Sequence, residues 1–439
     1  MFYKILNEDL KNLGFQYQEG LNTDCNEFDP NIDDRGGLFY ADEKNILAYS
    51  GCGTKIAEVS IPDGAVSMKV SWKEYKSHQI VLSNIRDLWT IETFQWLKEH
   101  GVDLRASEEY AIYIASEDGH LEIVKYLIEQ GSNIHAKDER ALRYASCGGQ
   151  LDVVRFLVEN GADIHALDDT ALCLAAQFDH IEVVKYLIEQ GANIHAHNDY
   201  VVCVASEKGY LDIVKYFVER GAEVNTHDGY ALYCASQNGY FEIVKYLIEH
   251  NADIHASGDY ALYGACEKGH FEVVKYLVEQ GANIHTLNDR VLFAAAWNGK
   301  WDIVKYFISQ GANINADDGC AIWIASGSGN LEVLKYFFSI GADVHVHDDY
   351  ALISACQNGH LDIVKYLLKQ GADIHVRNDL ALRQASRKGH LKVVKYLVEQ
   401  GANIYAEDAA ALHKATQNGH SDVVEYLTDV LNHSTCCHV

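Results

Sequence analysis

From residue 101 onward the apolar and polar positions of the chain realign with themselves at a shift of 30 residues. Glycine marks the period at Gly101, Gly131, Gly161, Gly191, Gly221, Gly281, Gly311, Gly341, Gly371 and Gly401, and Asn251, which also tolerates positive φ, stands at the one exception. Within one unit Ala141, Leu142 and Ala145 place small and apolar groups on one face of a short helix that ends at Gly149. In a second helix Leu151, Val154, Leu157 and Val158 form an apolar stripe, and Asp152, Arg155 and Glu159 point outward. Gly161 caps that helix. The stretch from Ala162 to Asp169 alternates in character and ends in turn residues, which predicts an extended finger leading into the next unit.

A single such unit cannot bury its own apolar face, so neighbouring units must stack on a shared core. The pattern predicts eleven helix pairs over residues 110–431, beginning near Tyr110, Arg140, Thr170, Tyr200, Tyr230, Tyr260, Arg290, Cys320, Tyr350, Leu380 and Ala410. A degenerate pair within residues 79–109, around Ile80 to Glu99 with Trp89, Phe94, Trp96 and Leu97, is expected to cap the array. Twelve layers at about 10 Å each would give a rod on the order of 120 Å long. Residues 1–78 do not repeat. There Gly37 to Ala41, a short helix to Tyr49, and Lys55 to Ile61 read as strand, helix, strand, which predicts a separate small α+β domain. Residues 432–439 read as a disordered tail. The fold class is therefore mainly α, a solenoid of helix-turn-helix repeats preceded by that domain.

Charge and composition narrow the function. A net charge of −27 repels phosphate backbones and argues against a nucleic-acid partner. The first residues lack the apolar core of a signal peptide, and no uninterrupted apolar run is long enough to cross a bilayer. A protein kept in the cytoplasm and not associated with membranes is expected. Of 11 cysteines, seven fall singly in different units without close metal-type pairing, as expected in a reducing compartment. The terminal Cys436-Cys437-His438-Val439 lacks the aliphatic middle residues of a prenylation signal.

The recurring segment from Gly119 to Ala136, GHLEIVKYLIEQGSNIHA, resembles the ankyrin repeat from its Gly-His onward. The chain departs from that family between finger and first helix: Thr-Pro-Leu-His becomes Tyr-Ala-Leu-Tyr at Tyr230 to Tyr233, and three residues are missing. Shortened fingers follow, and the capping hydroxyl and rigid proline of the usual helix start are lost. The 30-residue form joined to this N-terminal segment is similar to ankyrin-repeat proteins encoded by giant DNA viruses of amoebae, of the mimivirus type. That resemblance implies a protein made in an infected cell and directed at host proteins. It implies a monomeric, non-enzymatic interaction scaffold without a cofactor.

Positions that vary while the scaffold stays constant are the candidates for partner binding. The position after the first-helix leucine carries Tyr113, Arg143, Tyr233, Tyr263, Phe293, Trp323 and Arg383, and the pair before the glycine carries Trp297, Arg387 and Lys388. In the family these positions approach the concave groove and fingers, and aromatic residues and arginine are typical interface anchors. Between Leu361 and Gln400 eight basic residues face four acidic ones, a basic end on an acidic chain. Histidine recurs at His135, His165, His195, His255, His285, His345 and His375, and again at His120, His180, His270, His360, His390 and His420. Equivalent positions in stacked repeats lie about 10 Å apart, too far for ligands that must all sit about 2 Å from one zinc ion. Hydrogen bonding between neighbouring repeats is the expected role, and neither a metal nor a catalytic site is expected.

A different reading concerns the first domain. The order of Gly37-Leu38-Phe39-Tyr40-Ala41 and the following segment faintly resembles ADP-ribosyltransferases, and that resemblance implies an NAD-using enzyme with the repeats as substrate adaptor. Those enzymes hold NAD with an earlier His-Gly. Here His78, the sole histidine before residue 90, follows the motif instead of preceding it.

Overall fold

The computed structural model describes residues 1–26, 28–29 and 36–436, with the side chains of 287–289, 316–318 and 434–436 left out. It divides into two compact units, Met1–Ala222 and Glu223–Val439. The first unit opens with strands β1 (Phe2–Leu6), β2 (Lys11–Asn12), β3 (Phe15–Gln16), β4 (Gly20–Thr23), β5 (Leu38–Asp42), β6 (Lys55–Ser60), β7 (Ser67–Lys69), β8 (Tyr75–Ser77) and β9 (Gln79–Asp87). Seven of them form one sheet in the order β4-β9-β6-β1-β5-β8-β7, and β2 and β3 form a small hairpin. The expected strand, helix, strand segment is present as β5, a 3-10 helix at Ile46–Cys52, and β6, with both strands antiparallel to β1. Leu6, Tyr17, Leu38, Tyr40, Ala57, Val59, Ile80 and Leu82 make its core.

The capping pair expected over residues 79–109 is corrected. Gln79–Asp87 is a strand that pairs with β4 and β6, and Ile91–Glu99 (α1) is the one helix between it and the first full pair. The apolar residues Ile80, Val81, Leu82 and Ile85 satisfy neither periodicity cleanly, and two open strand edges decide the outcome. The cap is nonetheless complete, because the missing helix comes from elsewhere. The 3-10 helix Ile46–Cys52 packs on Ala106–Glu117 (α2) where a preceding first helix would lie, and α1 packs on Leu121–Glu129 (α3) as a preceding second helix would. Gly51 permits that approach: a Cβ there would lie 3.4 Å from Ile114 Cδ1. The polar layer at α1 is closed by Thr90, whose side chain accepts from Thr93 N.

Among the described residues eleven helix pairs follow, from α2 and α3 to the pair Ala406–Gln417 and Ser421–Cys436. Within each unit first helices pack on first helices and second on second, as between Thr226–Asn238 and Tyr260–Lys268, and between Phe241–Glu249 and Phe271–Glu279. Leu232, Leu262, Leu352 and Leu382 are buried in the shared core. The last helix runs to Cys436, past the 432 boundary expected for a disordered tail, and residues 437–439 lie outside the described residues.

The finger is also corrected: it is a turn, and no strand occurs in it among the described residues. Its last three residues wind left-handed, as at Leu167, Asp168 and Asp169 (φ 53, 56 and 55°) and at Arg377, Asn378 and Asp379 (φ 47, 56 and 55°). An ordinary L-residue loses about 1–2 kcal/mol in this conformation, and Asn, Asp and Gly are the residues that visit it most readily. A connector three residues short of the usual finger must reverse direction abruptly, and the Asn/Asp/Gly content at its end permits this.

Candidate functional site

Both histidine series are structural, by different geometries. In the second series His180, His360, His390 and His420 each place Nε2 2.9–3.0 Å from the carbonyl 33 residues earlier, at Cys147, Gly327, Gln357 and Arg387. The ring fills the space beside the left-handed glycine of the preceding repeat: a Cβ on Gly149 would meet His180 Nδ1 at 2.4 Å. In the first series the histidine bonds within its own connector. His165, His255, His345 and His375 place Nδ1 3.0–3.1 Å from the buried carboxylates of Asp169, Asp259, Asp349 and Asp379. Those carboxylates then accept the backbone N–H of Asn193, Asn283, Asp373 and Asn403 in the next repeat, at 2.7–3.2 Å. The inter-repeat bond therefore runs through the aspartate. Where asparagine replaces the histidine, glycine replaces the aspartate. Asn225 Oδ1 accepts Asp253 N at 2.7 Å above Gly229, and Asn315 Oδ1 accepts Asp343 N at 3.0 Å above Gly319.

The candidate partner-binding residues fall into three groups. Tyr113 is corrected outright: it is 1% exposed, covered by the next repeat, where the Arg140 guanidinium lies 4.9 Å from its ring and the Tyr144 ring 6.1 Å away. Cys203 and Ile353 are as deeply buried at the same position of their repeats. Arg143 and Arg383 spend their guanidinium groups on the left-handed turns. Arg143 donates to Lys137 O and Asp138 O at 2.9 Å each, and Arg383 donates to Arg377 O at 2.8 Å, to Asn378 O at 3.1 Å and to Glu407. Arg387 and Lys388 are exposed at the end of the helix Val376–Arg387.

Tyr233, Tyr263, Phe293 and Trp323 are half-buried and Trp297 is 60% exposed. They belong to two aromatic runs. In the first, Tyr230, Tyr233, Tyr260 and Tyr263 follow one another with ring centroids 5.8, 6.4 and 6.2 Å apart. They line a cleft of about 510 Å³ together with Asp228, Asp253 and Arg290. Gly264 leaves room for the Tyr233 ring, since a Cβ there would lie 3.0 Å from it, and Gln237 Nε2 donates to the Tyr233 hydroxyl at 2.8 Å. In the second run Trp297 stacks on Phe293 at 5.6 Å and meets Trp323 edge-on at 6.2 Å, and Trp323 meets Tyr350 at 5.6 Å. Tyr230, Tyr260 and Tyr350 were not among the expected contacts, because a tyrosine recurring in five of the eleven repeats reads as scaffold.

Burial pushes Cys266 and Cys356 well above the usual thiol range and Cys173 up to about 12, so they stay protonated. Among the described residues no group of histidine, cysteine and carboxylate side chains is placed to hold a metal ion, and no helix is long and apolar enough to cross a membrane.

A family model described as ankyrin repeats in three copies matches residues 90–168, 164–228, 202–288, 291–378, 321–408 and 352–436. The chain belongs to the ankyrin-repeat family. This ankyrin-repeat protein is 34% identical over 130 residues to one Acanthamoeba polyphaga mimivirus protein named for ankyrin repeats, and 35% identical over 132 residues to another. Each match takes in 28% of this chain, and the chain spans 39% and 65% of the length of those two relatives. A third mimivirus protein, called uncharacterized, is 31% identical over 130 residues, which is 94% of its length and 28% of this chain.

Proposed function

We propose that this ankyrin-repeat protein is a non-enzymatic scaffold that works as a monomer in the host cytoplasm and holds a host protein on the aromatic face of its second unit. The observation that carries this reading is the row of rings from Tyr230 to Tyr350, half-buried or exposed on the first-helix layer and opened by the tyrosine cleft. Aromatic residues that are already ordered by their neighbours lose little freedom on docking, and they are enriched among the residues that dominate binding energy. Arg387 and Lys388 would guide an acidic part of the partner, with an effect that weakens as salt is added.

The test is a variant with Tyr233, Tyr263 and Trp323 all changed to alanine. It should keep its far-ultraviolet circular dichroism spectrum and lose the protein that the wild type retains from lysate of infected host cells, with affinity falling by about 2 kcal/mol or more. A folded variant that retains the same protein with unchanged affinity overturns the reading.

A further inference from the structure

The N-terminal sheet contains a lysine where its pattern calls for an apolar side chain. Lys4 lies mid-way along β1, between β5 and β6, and is 3% exposed. Its Nζ donates to Phe39 O at 2.6 Å and reaches Asn12 Oδ1 at 3.5 Å, and it lies 4.5 Å from the centroid of the Tyr17 ring. Among the described residues no carboxylate lies within ion-pairing distance of it. A buried ammonium without a counter-ion costs several kcal/mol, and the usual escape is loss of the proton. Burial accordingly brings the Lys4 amine down to about 7, against the opposing influence of Glu74 and Cys52.

The amine also has a space in front of it. A cavity of about 210 Å³ is lined by Lys4 with Tyr3, Ile5, Phe39, Tyr40 and Ile46, and by the polar groups of Asn12, Tyr49, Cys52 and Glu74. Drug-sized sites occupy roughly 300–1,000 Å³, so this cavity suits a smaller molecule. The Cys52 thiol is no rival for an electrophile, because local desolvation and Glu74 hold it protonated above the usual range.

We propose that this cavity is a carbonyl-binding site in which Lys4 Nζ condenses with a small aldehyde to form an imine. The nitrogen lone pair attacks the carbonyl carbon, and the C=O π pair moves to oxygen. One proton passes from nitrogen to that oxygen, giving a carbinolamine. The C–O bond then breaks as C=N forms, and the remaining N–H proton leaves with the oxygen as water. No oxidant or reductant is consumed. Glu74 and the Tyr49 hydroxyl, both on the cavity wall, are the groups placed to relay the proton. The proposal is independent of the partner-binding reading and concerns a different unit.

The experiment treats the full chain at pH 7 with limiting salicylaldehyde and sodium cyanoborohydride, which fixes the imine as a secondary amine. Labelling rates are then read site by site from fragment-ion spectra that separate Lys4 from the Met1 amine. A neutral fraction near one half at Lys4, against about one in a thousand or less at an ordinary lysine, predicts labelling on the order of tenfold or more faster at Lys4 than at the exposed Lys69 and the partly exposed Lys73. The rate at Lys4 should fall as the pH is lowered from 7 to 5. The second buried lysine, Lys76, lines no part of this cavity and should not share the fast rate. Lys4→Met should abolish the fast site. Because the wild-type rates decide the matter alone, a variant that fails to fold leaves the test intact. Labelling of Lys4 no faster than that of Lys69 and Lys73 overturns the proposal.

Discussion

The N-terminal sheet and the repeat array both bury charged or polar side chains, and they stabilise them in opposite ways. In the array the buried Asp169, Asp259, Asp349 and Asp379 each accept one bond from the histidine four residues before and one from a backbone N–H 24 residues after, and the same solution is reused along the chain. In the sheet Lys4 has a single close acceptor and a cavity, an arrangement outside the repeat pattern. Repetition supplies the same carboxylate partners from one repeat to the next, so the array can lengthen without new invention. A single sheet must settle each buried group once, and that is where an unpaired, reactive one survives.

The largest effect on the array should come from its apolar core. Leu232 is 1% exposed on the helix Thr226–Asn238, and Leu232→Ala should destabilise the second unit by about 2–5 kcal/mol. Because repeats couple mainly to neighbours, hydrogen exchange should show the loss concentrated around residues 226–262, with the N-terminal sheet unchanged. Uniform loss across both units would break the contrast drawn between them.

A smaller effect should follow from the polar ladder. Asp259→Gly removes the acceptor for His255 and for Asn283 N, and leaving those donors unpaired should cost about 1–3 kcal/mol. The double change His255→Asn with Asp259→Gly copies the arrangement at Asn225 and Gly229, and chemical denaturation should show most of the loss recovered. If the double variant is no better than the single one, the two connector types are not interchangeable solutions.

The smallest effect should be a pH dependence. The hydrogen bond and charge of Asp349 raise the pKa of His345 above its ordinary value. Its stabilising contribution is therefore fully present below about pH 6.5, the unfolded value, and is lost as the pH rises through the higher folded value. The imidazole is well exposed, so the contribution should be only a few tenths of a kcal/mol. Denaturation midpoints at pH 6 and pH 8 should differ more for the wild type than for His345→Gln; an equal difference would remove His345 as its source.

Much of the array was legible in the chain because its pattern is local and repeated. The 30-residue period, the eleven helix pairs and their buried leucines all follow from spacings of three and four residues read many times over. The candidate site was half legible. Tyr233 and Tyr263 fall in one aromatic run and Phe293, Trp297 and Trp323 in another, and Tyr230, Tyr260 and Tyr350 extend those runs from a position that reads as scaffold. Arg143 and Arg383 looked available because nothing in a sequence reveals that a left-handed turn six residues earlier presents carbonyls to them.

What the sequence alone determined, then, is the class of the protein: stacked helix pairs preceded by a non-repeating α+β segment, on an acidic chain. Tertiary structure alone decided that residues 46–52 would stand in for a missing helix, that Tyr113 would be covered by Arg140 and Tyr144, and that Lys4 would face a cavity. These outcomes rest on contacts between segments up to some 60 residues apart, where no local periodicity exists to record which partner arrives. A repeated neighbour is written into the chain at every turn; a partner met once is chosen only when the chain folds.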